Sequence, residues 1–271
     1  MAKYKVGFIG CGNMGGAIIR AISRKVDSKL IAVTGRTRVR ADKLAEELGV
    51  VSTDLEDVVN NAEWIFLAVK PQIFPEVLPR IVKILKNREN GFKIVSMAAG
   101  LSIDRICEML ETKVPVIRIM PNTPVGIGKG MTLYSANDLI SEEDTNEFCE
   151  LMEYSGISDP LDEELINAAC SVSGCGPAFV FMFIDAMIKA GTACGLPEDK
   201  ARTYAIQTVI GSAELLKKSN DDPDKLKEAV CSPGGSTIEG VKVLETREFA
   251  DAVIAAINAS YDKNIMLGKK G

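Results

Sequence analysis

A glycine-rich turn directly after the first strand-like segment constrains the fold of this 271-residue chain more than any other feature. The apolar residues 6–9 are followed by Gly10-Cys11-Gly12-Asn13-Met14-Gly15, and a helical stretch begins there. In a G-x-G-x-x-G turn the first glycine permits the tight turn, the second lets a pyrophosphate approach the backbone, and the third allows close helix–strand packing. The positive end of the helix then faces the phosphate. The sequence therefore predicts a dinucleotide site at Ile9, Gly10, Cys11, Gly12, Asn13 and Met14.

Residues 4–157 alternate short apolar runs with amphipathic stretches. This alternation is typical of a parallel sheet whose strands are connected by helices, so we expect an α/β fold with a Rossmann domain over residues 1–160. Ser102 and the sequence Ser141-Glu142-Glu143-Asp144 are expected to cap two helices, the second ending near residue 154. The predicted strands are residues 6–9, 30–33, 64–69, 93–97 and 114–119.

Residues 161–271 lack the strand pattern and are predicted to form an all-α dimerisation domain. Their helical stretches cover residues 163–169, 177–194, 197–218 and 249–267, with turn signals between them. Residues 178–184, Ala-Phe-Val-Phe-Met-Phe-Ile, are apolar on every side. A helical domain of about 110 residues does not bury such a helix alone, so we expect a homodimer.

Composition excludes several classes of function. The chain has no histidine, which removes Ser-His-Asp and Cys-His nucleophile pairs and His-ligated zinc, and we expect no metal site. A net charge of -5 without a long basic run argues against nucleic-acid partners and anionic membranes. The apolar run from Pro177 stops at Asp185, short of the roughly 20 residues of a membrane helix. With no room for a signal peptide before the first strand and no Cys-x-x-Cys pair, a cytoplasmic protein with reduced thiols and a small-molecule substrate is expected.

Cofactor selectivity can be read after the second predicted strand, at Thr34, Gly35, Arg36, Thr37 and Arg38. NAD sites usually place Asp or Glu there to hold the ribose hydroxyls. This chain has Gly35 and two nearby arginines, so a 2′-phosphate would be attracted. NADPH is therefore preferred and NADH stays an alternative. The competing interpretation is that the arginines only form a solvated helix start.

Two further strand ends are candidates for cofactor contacts. Ala68, Val69 and Lys70 lie at the carboxyl end of the third predicted strand and are expected to line the ribose–nicotinamide channel, because open α/β sheets bind ligands at the carboxyl ends of their strands. Met97-Ala98-Ala99-Gly100 ends the next predicted strand with small residues after the methionine, which leaves room for a flat ring. The alternatives are an ordinary exposed lysine and simple tight packing.

Three stretches suggest a substrate site: residues 120–124, residues 171–178 and residues 232–237. In the last, Pro233-Gly234-Gly235 forces a turn and Ser236-Thr237 begins a helix, so backbone N–H groups and hydroxyls converge on a point suited to a carboxylate. Taken singly, each stretch is more often a helix cap.

Taken in order, the motifs resemble those of the pyrroline-5-carboxylate reductase family, from residue 6 to about residue 267. The resemblance implies reduction of the C=N bond of L-1-pyrroline-5-carboxylate to L-proline by hydride transfer from NAD(P)H, the last step of proline biosynthesis. It also implies an interlocked homodimer, often assembled into a larger ring. The carboxylate role falls by position on Ser232, Gly234, Gly235, Ser236 and Thr237, and the site beside substrate and nicotinamide on Ser173, Gly174, Cys175 and Gly176.

The chain departs from the family pattern at three positions. Cys175 replaces a serine, Cys170 stands where a threonine is often found, and Leu55 replaces an asparagine near the adenosine ribose. Thiols donate hydrogen bonds more weakly than hydroxyls, so we expect weaker polar contacts at the two cysteines.

Four alternatives stay open. A β-hydroxyacid dehydrogenase would need a lysine at the position where this chain has Val180, because oxidation of an alcohol needs a base. Such enzymes also usually have an asparagine where this chain has Phe183. A related cyclic imine carboxylate could be the substrate, or the protein could be a non-catalytic NADPH sensor. Cys175 and Cys231 could be redox-sensitive, although inert buried thiols are commoner. For imine reduction no side chain is assigned as an indispensable acid, because positioning does most of the catalysis.

Overall fold

The computed structural model describes residues 2–268, which divide into two compact units. The first contains the chain up to Cys175 together with the segment that begins at Ser260, and the second is Gly176–Ala259. The last strand ends at Pro160, and the first unit continues through one more helix. The division into domains after residue 160 therefore stays a prediction.

The first unit is a sheet with helices between its strands. Its strands are β1 (Tyr4–Ile9), β2 (Ile31–Thr34), β3 (Val51–Ser52), β4 (Ala62–Leu67), β5 (Lys93–Ser96), β6 (Val116–Pro121), β7 (Gly130–Ala136) and β8 (Gly156–Pro160). Its helices are α1 (Asn13–Ile22), α2 (Arg38–Leu48), α3 (Leu55–Asn61), α4 (Phe74–Leu85), α5 (Ile103–Met109), α6 (Glu142–Leu151) and α7 (Ile166–Ser173).

The strand order β3-β2-β1-β4-β5-β6-β7-β8 confirms the expected Rossmann-type α/β fold. In the parallel register, Ile9 pairs with both Thr34 and Leu67, and Leu67 pairs with Ser96. The carboxyl ends of β1, β2, β4 and β5 therefore lie at one edge of the sheet, where open α/β sheets bind ligands.

The expectation of a wholly parallel sheet is wrong at one pair of strands. β7 runs antiparallel to β6, and β3, β7 and β8 were not predicted as strands. The connection between β6 and β7 is a short 3₁₀ turn at Thr123–Ile127, whereas a parallel crossover needs a dozen residues or more. β3 has only two residues, too few for an alternating pattern.

Strand residues alternate between two hydrophobic clusters on opposite faces of the sheet. Trp64 and Phe66 join the cluster that contains Phe8, with the Phe8 and Phe66 rings stacked at 4.5 Å between centroids. Ile65 and Leu67 belong to the other cluster. Helices on both faces thus bury the sheet, which fixes the strand ends in place.

Local helix signals are confirmed. The Ser102 hydroxyl accepts the backbone N–H of Arg105 at 3.1 Å, and Ser141 forms a reciprocal capping box with Asp144. The helix after Ser141 ends at Leu151, three residues before the expected end, because the chain tightens there into a 3₁₀ turn at Glu153–Ser155.

The second unit is helical and buries almost nothing within one copy of the chain. Its helices are α8 (Gly176–Ala193), α9 (Glu198–Ser219), α10 (Pro223–Ala229), α11 (Ser236–Thr246) and α12 (Phe249–Gly268), the last of which ends in the first unit. Over residues 176–259 only Ala201 and Ala205 are buried. Phe181 and Met182 on α8 are 62% and 72% exposed. A unit of this kind needs a further surface to cover its apolar side chains.

The helical run Glu163–Ala193 is long and apolar enough to cross a membrane, and its most apolar stretch of 18 residues has a mean hydropathy of 1.6 and is 6% buried. The expectation that no segment reaches this length is wrong, because α7 and α8 follow each other with only Gly174 and Cys175 between them. Apolar exposure of this kind is equally typical of a subunit interface.

A cluster of charged side chains lies at the opposite edge of the sheet, where the strands begin. Lys5 pairs with Glu63 at 2.9 Å and with Glu147, and Lys93 pairs with Glu63 at 3.1 Å and with Asp144 at 2.8 Å. Burial by itself would raise the pKa of Asp144 and of Glu147. Hydrogen bonds from the two lysines and neighbouring donors outweigh this and hold both pKa values below their usual range.

Lowered carboxylate pKa values make the stability of this cluster depend on pH. Because the folded-state pKa lies below the unfolded value of about 4, the stabilisation is present above that pH and is lost as the pH falls through the folded-state pKa. We expect Glu147→Gln to lower the free energy of unfolding by about 1–2 kcal/mol at pH 7 and by less at pH 3. Urea unfolding at both pH values measures this. Glu46→Gln, which changes an exposed carboxylate on α2, should leave the free energy of unfolding unchanged at both pH values. Equal losses at both pH values for Glu147→Gln would contradict the lowered pKa of Glu147.

Candidate functional site

The glycine turn joins the ends of the central strands. The N–H of Gly10 donates to the carbonyl of Thr34 at 2.8 Å, and the N–H of Ala68 donates to the carbonyl of Ile9 at 2.9 Å. Gly10 has φ +114°, and a Cβ there would lie 2.6 Å from the carbonyl oxygen of Ala68. Position 10 therefore requires glycine for the fold itself.

Gly12 has open space beside it. A Cβ on Gly12 would meet no atom within 4 Å, and Gly12 is the N-cap of α1 without a side-chain hydrogen bond to the helix. The first N–H groups of an α-helix lack partners inside the helix and favour an anion. An open, uncapped helix start is what a pyrophosphate needs, so the turn fits a dinucleotide.

The Cys11 side chain is directed into the protein. Its thiol donates to the carbonyl of Thr34 at 3.5 Å and joins the hydrophobic cluster of Phe8. Burial raises the pKa of the Cys11 thiol to about 11, with the charge of Arg40 acting weakly in the other direction. The thiol stays protonated and leaves only the backbone of Cys11 at the turn.

A cavity of about 280 Å³ lies next to this turn. Among the predicted cofactor residues it is lined by Ile9, Gly10, Thr34, Gly35, Arg36, Arg38 and Val69. Six lining residues were not predicted as contacts: Asp54, Leu55, Ile73, Glu76, Val77 and Arg80. Leu55 had a sequence signal, as a departure from the family pattern. The residues from α4 had none, because they belong to no motif.

The start of α2 carries unusual charges. Arg38 and Arg40 lie in its first turn, which has no acidic residue, although cations are disfavoured at the positive end of a helix. Within the described chain neither Arg36 nor Arg38 has an ion pair or hydrogen bond. A bound anion would relieve this repulsion, which supports an anion site over a solvated helix start.

The ends of β4 and β5 bring the remaining predicted cofactor residues to the same edge of the sheet. Ala68 and Val69 are half-buried, and Lys70 is exposed. The N–H of Met97 donates to the carbonyl of Leu67 at 3.4 Å. Ala98 is buried and Ala99 is exposed, while Asn13, Met14 and Thr37 lie at the starts of α1 and α2.

Asn122 holds the end of α7, a role that the sequence did not reveal beyond its place in a motif. Its amide Nδ2 donates to the carbonyl of Ser173 at 3.0 Å, and its Oδ1 accepts the N–H of Met131 at 2.9 Å. The Ser173 hydroxyl donates to the carbonyl of Ala169 at 3.0 Å. The position of Ser173 is thus fixed by a side chain from the sheet.

The two cysteines that depart from the family pattern lie together at the same helix end. The N–H of Cys175 donates to the carbonyl of Cys170 at 3.0 Å. Burial raises the pKa of the Cys170 thiol, and the neighbouring Cys175 acts in the same direction. Both are free thiols, as is Cys231 in the second unit. A raised pKa disfavours the reactive thiolate at Cys170.

The predicted carboxylate turn lies in the second unit, as does Gly176 at the start of α8. The N–H of Gly235 donates to the carbonyl of Ser232 at 3.0 Å and closes the turn, with Gly234 between them at φ +74°. Gly235 is the N-cap of α11 and provides no side-chain hydrogen bond. Ser236 and Thr237 follow, both exposed. The free N–H groups of this helix start and two hydroxyls are donors of the kind that a carboxylate accepts.

The described residues contain no group of three or more acidic or cysteine side chains arranged to hold a metal ion.

The chain is similar to proteins of known family over its whole length. A family model described as pyrroline-5-carboxylate reductase dimerisation matches residues 163–267, and one described as NADP oxidoreductase, coenzyme F420-dependent, matches residues 5–100. Pyrroline-5-carboxylate reductase of Escherichia coli (strain K12) is 38% identical over 270 residues, which cover 98% of this chain and 99% of that protein. The chain belongs to the pyrroline-5-carboxylate reductase family. Membership confirms the resemblance read from the motifs and makes the protein an NAD(P)H-dependent oxidoreductase.

Solved structures of the family agree over the whole length. The Plasmodium falciparum pyrroline carboxylate reductase with NADP bound superposes with a TM-score of 0.88 at 30% identity, covering 99% of each chain. The Streptococcus pyogenes 1-pyrroline-5-carboxylate reductase gives 0.86 at 32% identity, covering 96% of this chain and 98% of that one. Because the matched dimerisation region includes α8, the exposed apolar side chains of this reductase are explained by a homo-oligomer.

Proposed function

We propose that the protein reduces the C=N bond of L-1-pyrroline-5-carboxylate to L-proline with NADPH, as the last step of proline biosynthesis. The observation that carries the proposal is the open, uncapped start of α1 beside a cavity with arginines free of carboxylate partners. The full-length likeness to pyrroline-5-carboxylate reductases supplies the substrate.

We propose the same site residues that the sequence predicts. Residues 1–160 hold the cofactor, and residues 161–271 provide dimerisation and substrate binding. Cofactor contacts come from Ile9, Gly10, Cys11, Gly12, Asn13, Met14, Thr34, Gly35, Arg36, Thr37, Arg38, Ala68, Val69, Lys70, Met97, Ala98 and Ala99. Substrate contacts come from Ser173, Cys175, Gly176, Ser232, Gly234, Gly235, Ser236 and Thr237.

Catalysis rests on positioning. When bound, NADPH supplies the hydride. The start of α11 holds the substrate carboxylate through backbone N–H groups and the hydroxyls of Ser236 and Thr237, which fixes the ring in one orientation. The chain has no histidine, and a cyclic imine takes its proton from water before it binds. No side chain of this chain therefore needs to act as the acid.

Replacing Thr237 tests this division of roles. We expect Thr237→Val to raise KM for the imine about 10- to 100-fold, the loss of one hydrogen bond to a charged group, with kcat changed only a few-fold. Steady-state kinetics at saturating NADPH measures both. Thr246→Val, at the other end of α11, is the matched control, because its hydroxyl only bonds the carbonyl of Lys242. A collapse of kcat with unchanged KM would instead make Thr237 a catalytic acid.

The activity itself is tested by the loss of reduced-nicotinamide absorbance when the protein meets NADPH and L-1-pyrroline-5-carboxylate, with NADH run in parallel. Oxidation that is faster with NADPH supports the proposal. Binding of NADPH without oxidation would favour a sensor. Faster turnover of a six-membered cyclic imine carboxylate would favour the related-imine alternative.

We further propose that the assembly is built from homodimers, with a larger ring as its next level, and that the protein acts in the cytoplasm without nucleic-acid or membrane partners. The exposed apolar faces of the second unit support an extensive contact between copies. Light scattering coupled to size exclusion measures the number of copies.

A further inference from the structure

One helix outside every recognised motif contributes to the cofactor cavity. Glu76, Val77 and Arg80 of α4 line it, with Arg80 one helical turn after the other two and on the same face of that helix. Arg36 and Arg38 line the same cavity from the start of α2. Three arginines from two separate elements therefore line the cavity.

The Arg80 guanidinium has no partner of its own. Glu76 lies four residues before it, a spacing at which helical ion pairs commonly form, yet the described residues include no ion pair or hydrogen bond to Arg80. An exposed arginine with a carboxylate within reach and no ion pair is available to a ligand.

The acidic residues of the cavity do not cancel this charge. Asp54 and Glu76 also line it, so the lining carries three cations and two carboxylates, a net charge of +1. The Asp54 carboxylate accepts the N–H of Asp57 at 2.8 Å and so caps α3. The Asp54 carboxylate is thus already hydrogen-bonded to the backbone of α3.

Leu55 leaves the cavity short of neutral polar groups. It is half-buried and lines the cavity between Asp54 and the α4 residues. A leucine cannot donate a hydrogen bond to a ribose hydroxyl or a phosphate. Apart from the largely buried Thr34, the lining side chains that can donate to a phosphate are therefore the arginines.

We propose that Arg80 binds the 2′-phosphate of NADPH together with Arg36 and Arg38, and so determines the preference for NADPH over NADH. The inference rests on the proposed function. A guanidinium offers two parallel N–H donors to a phosphate, and cations from two elements enclose a dianion better than neighbours on one loop. The Glu76 carboxylate repels the phosphate and so reduces the preference for NADPH.

The test compares binding of 2′,5′-ADP with binding of 5′-ADP by calorimetry, which needs no turnover. We expect Arg80→Gln to weaken 2′,5′-ADP about tenfold, the loss of one charge-assisted hydrogen bond, and to change 5′-ADP less than about twofold. Glu76→Gln should tighten 2′,5′-ADP. Lys83→Gln, an exposed lysine on the same helix outside this cavity, is the matched control for long-range charge.

Equal weakening of both nucleotides by Arg80→Gln, or no weakening of either, would overturn the inference. So would an equal effect of Lys83→Gln. If the wild-type protein oxidises no NADPH with the imine but binds 2′,5′-ADP through Arg80, the proposed function fails and the inference stands. If the wild-type protein oxidises NADPH with the imine and Arg80→Gln has no selective effect on 2′,5′-ADP, the proposed function stands and the inference fails.

Discussion

Replacing Gly12 with valine is expected to weaken NADPH binding by at least about 100-fold while the protein keeps its fold. The fold tolerates the side chain, because a Cβ at position 12 meets no atom within 4 Å and the φ of -72° is open to any residue. The same space is the approach to the N–H groups of α1, and a valine fills it. Valine is a poorer N-cap than glycine, so a loss of up to about 1 kcal/mol in stability is expected alongside. Fluorescence titration with NADPH and thermal unfolding measure the two effects.

Gly16 in α1 and Gly10 in the turn distinguish an effect on binding from an effect on folding. Gly16→Ala is the control that should bind normally, since its Cβ would meet only the flexible Nη1 of Arg20 at 3.3 Å. Gly10→Ala should lose stability as well as binding, because its Cβ would lie 2.6 Å from a backbone oxygen. Wild-type NADPH affinity in Gly12→Val would move the pyrophosphate away from this turn and contradict the site as a whole.

The glycine turn could be predicted from sequence because its signal is local. Strand, turn and helix follow one another within residues 4–22, and each glycine has a separate physical requirement. The carboxylate turn is similar, since Pro233, Gly234 and Gly235 define it without reference to the rest of the chain. Backbone geometry can be predicted from sequence where it depends only on residues that are neighbours along the chain.

Contacts set by strand order could not be read in the same way. Arg80 reaches the cavity of Arg36 because α4 follows β4, and β4 lies two positions from β2 in the sheet. Asn122 holds Ser173, a residue more than fifty positions later, and also joins the start of β7 to the end of β6, an antiparallel pair that the alternating pattern did not reveal. Neither contact has a spacing rule in the sequence, so both needed the assembled sheet.

For the second unit, the sequence predicted that a partner is needed but not how much of the unit needs one. The apolar residues 178–184 indicated that α8 requires a partner. The structure extends this to the whole unit, since Ala201 and Ala205 are its only buried residues within one copy of the chain. Stability of this unit is therefore inseparable from association.

Phe181→Glu is accordingly expected to raise the dissociation constant of the oligomer by more than about 1,000-fold, and reductase activity should fall with it. Phe181 is 62% exposed and Met182 beside it is 72% exposed, so both are available to a second copy. A charge placed there would have to be buried without a partner in the assembly, at a cost of several kcal/mol. The second unit, which has almost no core of its own, should then unfold at a lower temperature. Light scattering, thermal unfolding and the NADPH oxidation assay measure the three consequences on one preparation.

The matched control is Lys200→Glu, which changes an exposed, charged residue near the start of α9. A glutamate there suits the positive end of the helix, so mass, melting temperature and activity should stay close to wild type. Met182→Glu should repeat the effect of Phe181→Glu, since the two side chains are neighbours on one helix. If Phe181→Glu eluted with the wild-type mass and kept its melting temperature, α8 would not be the contact between copies. The apolar faces of α9, α11 and α12 would then have to provide it, because the second unit still lacks a core within a single chain.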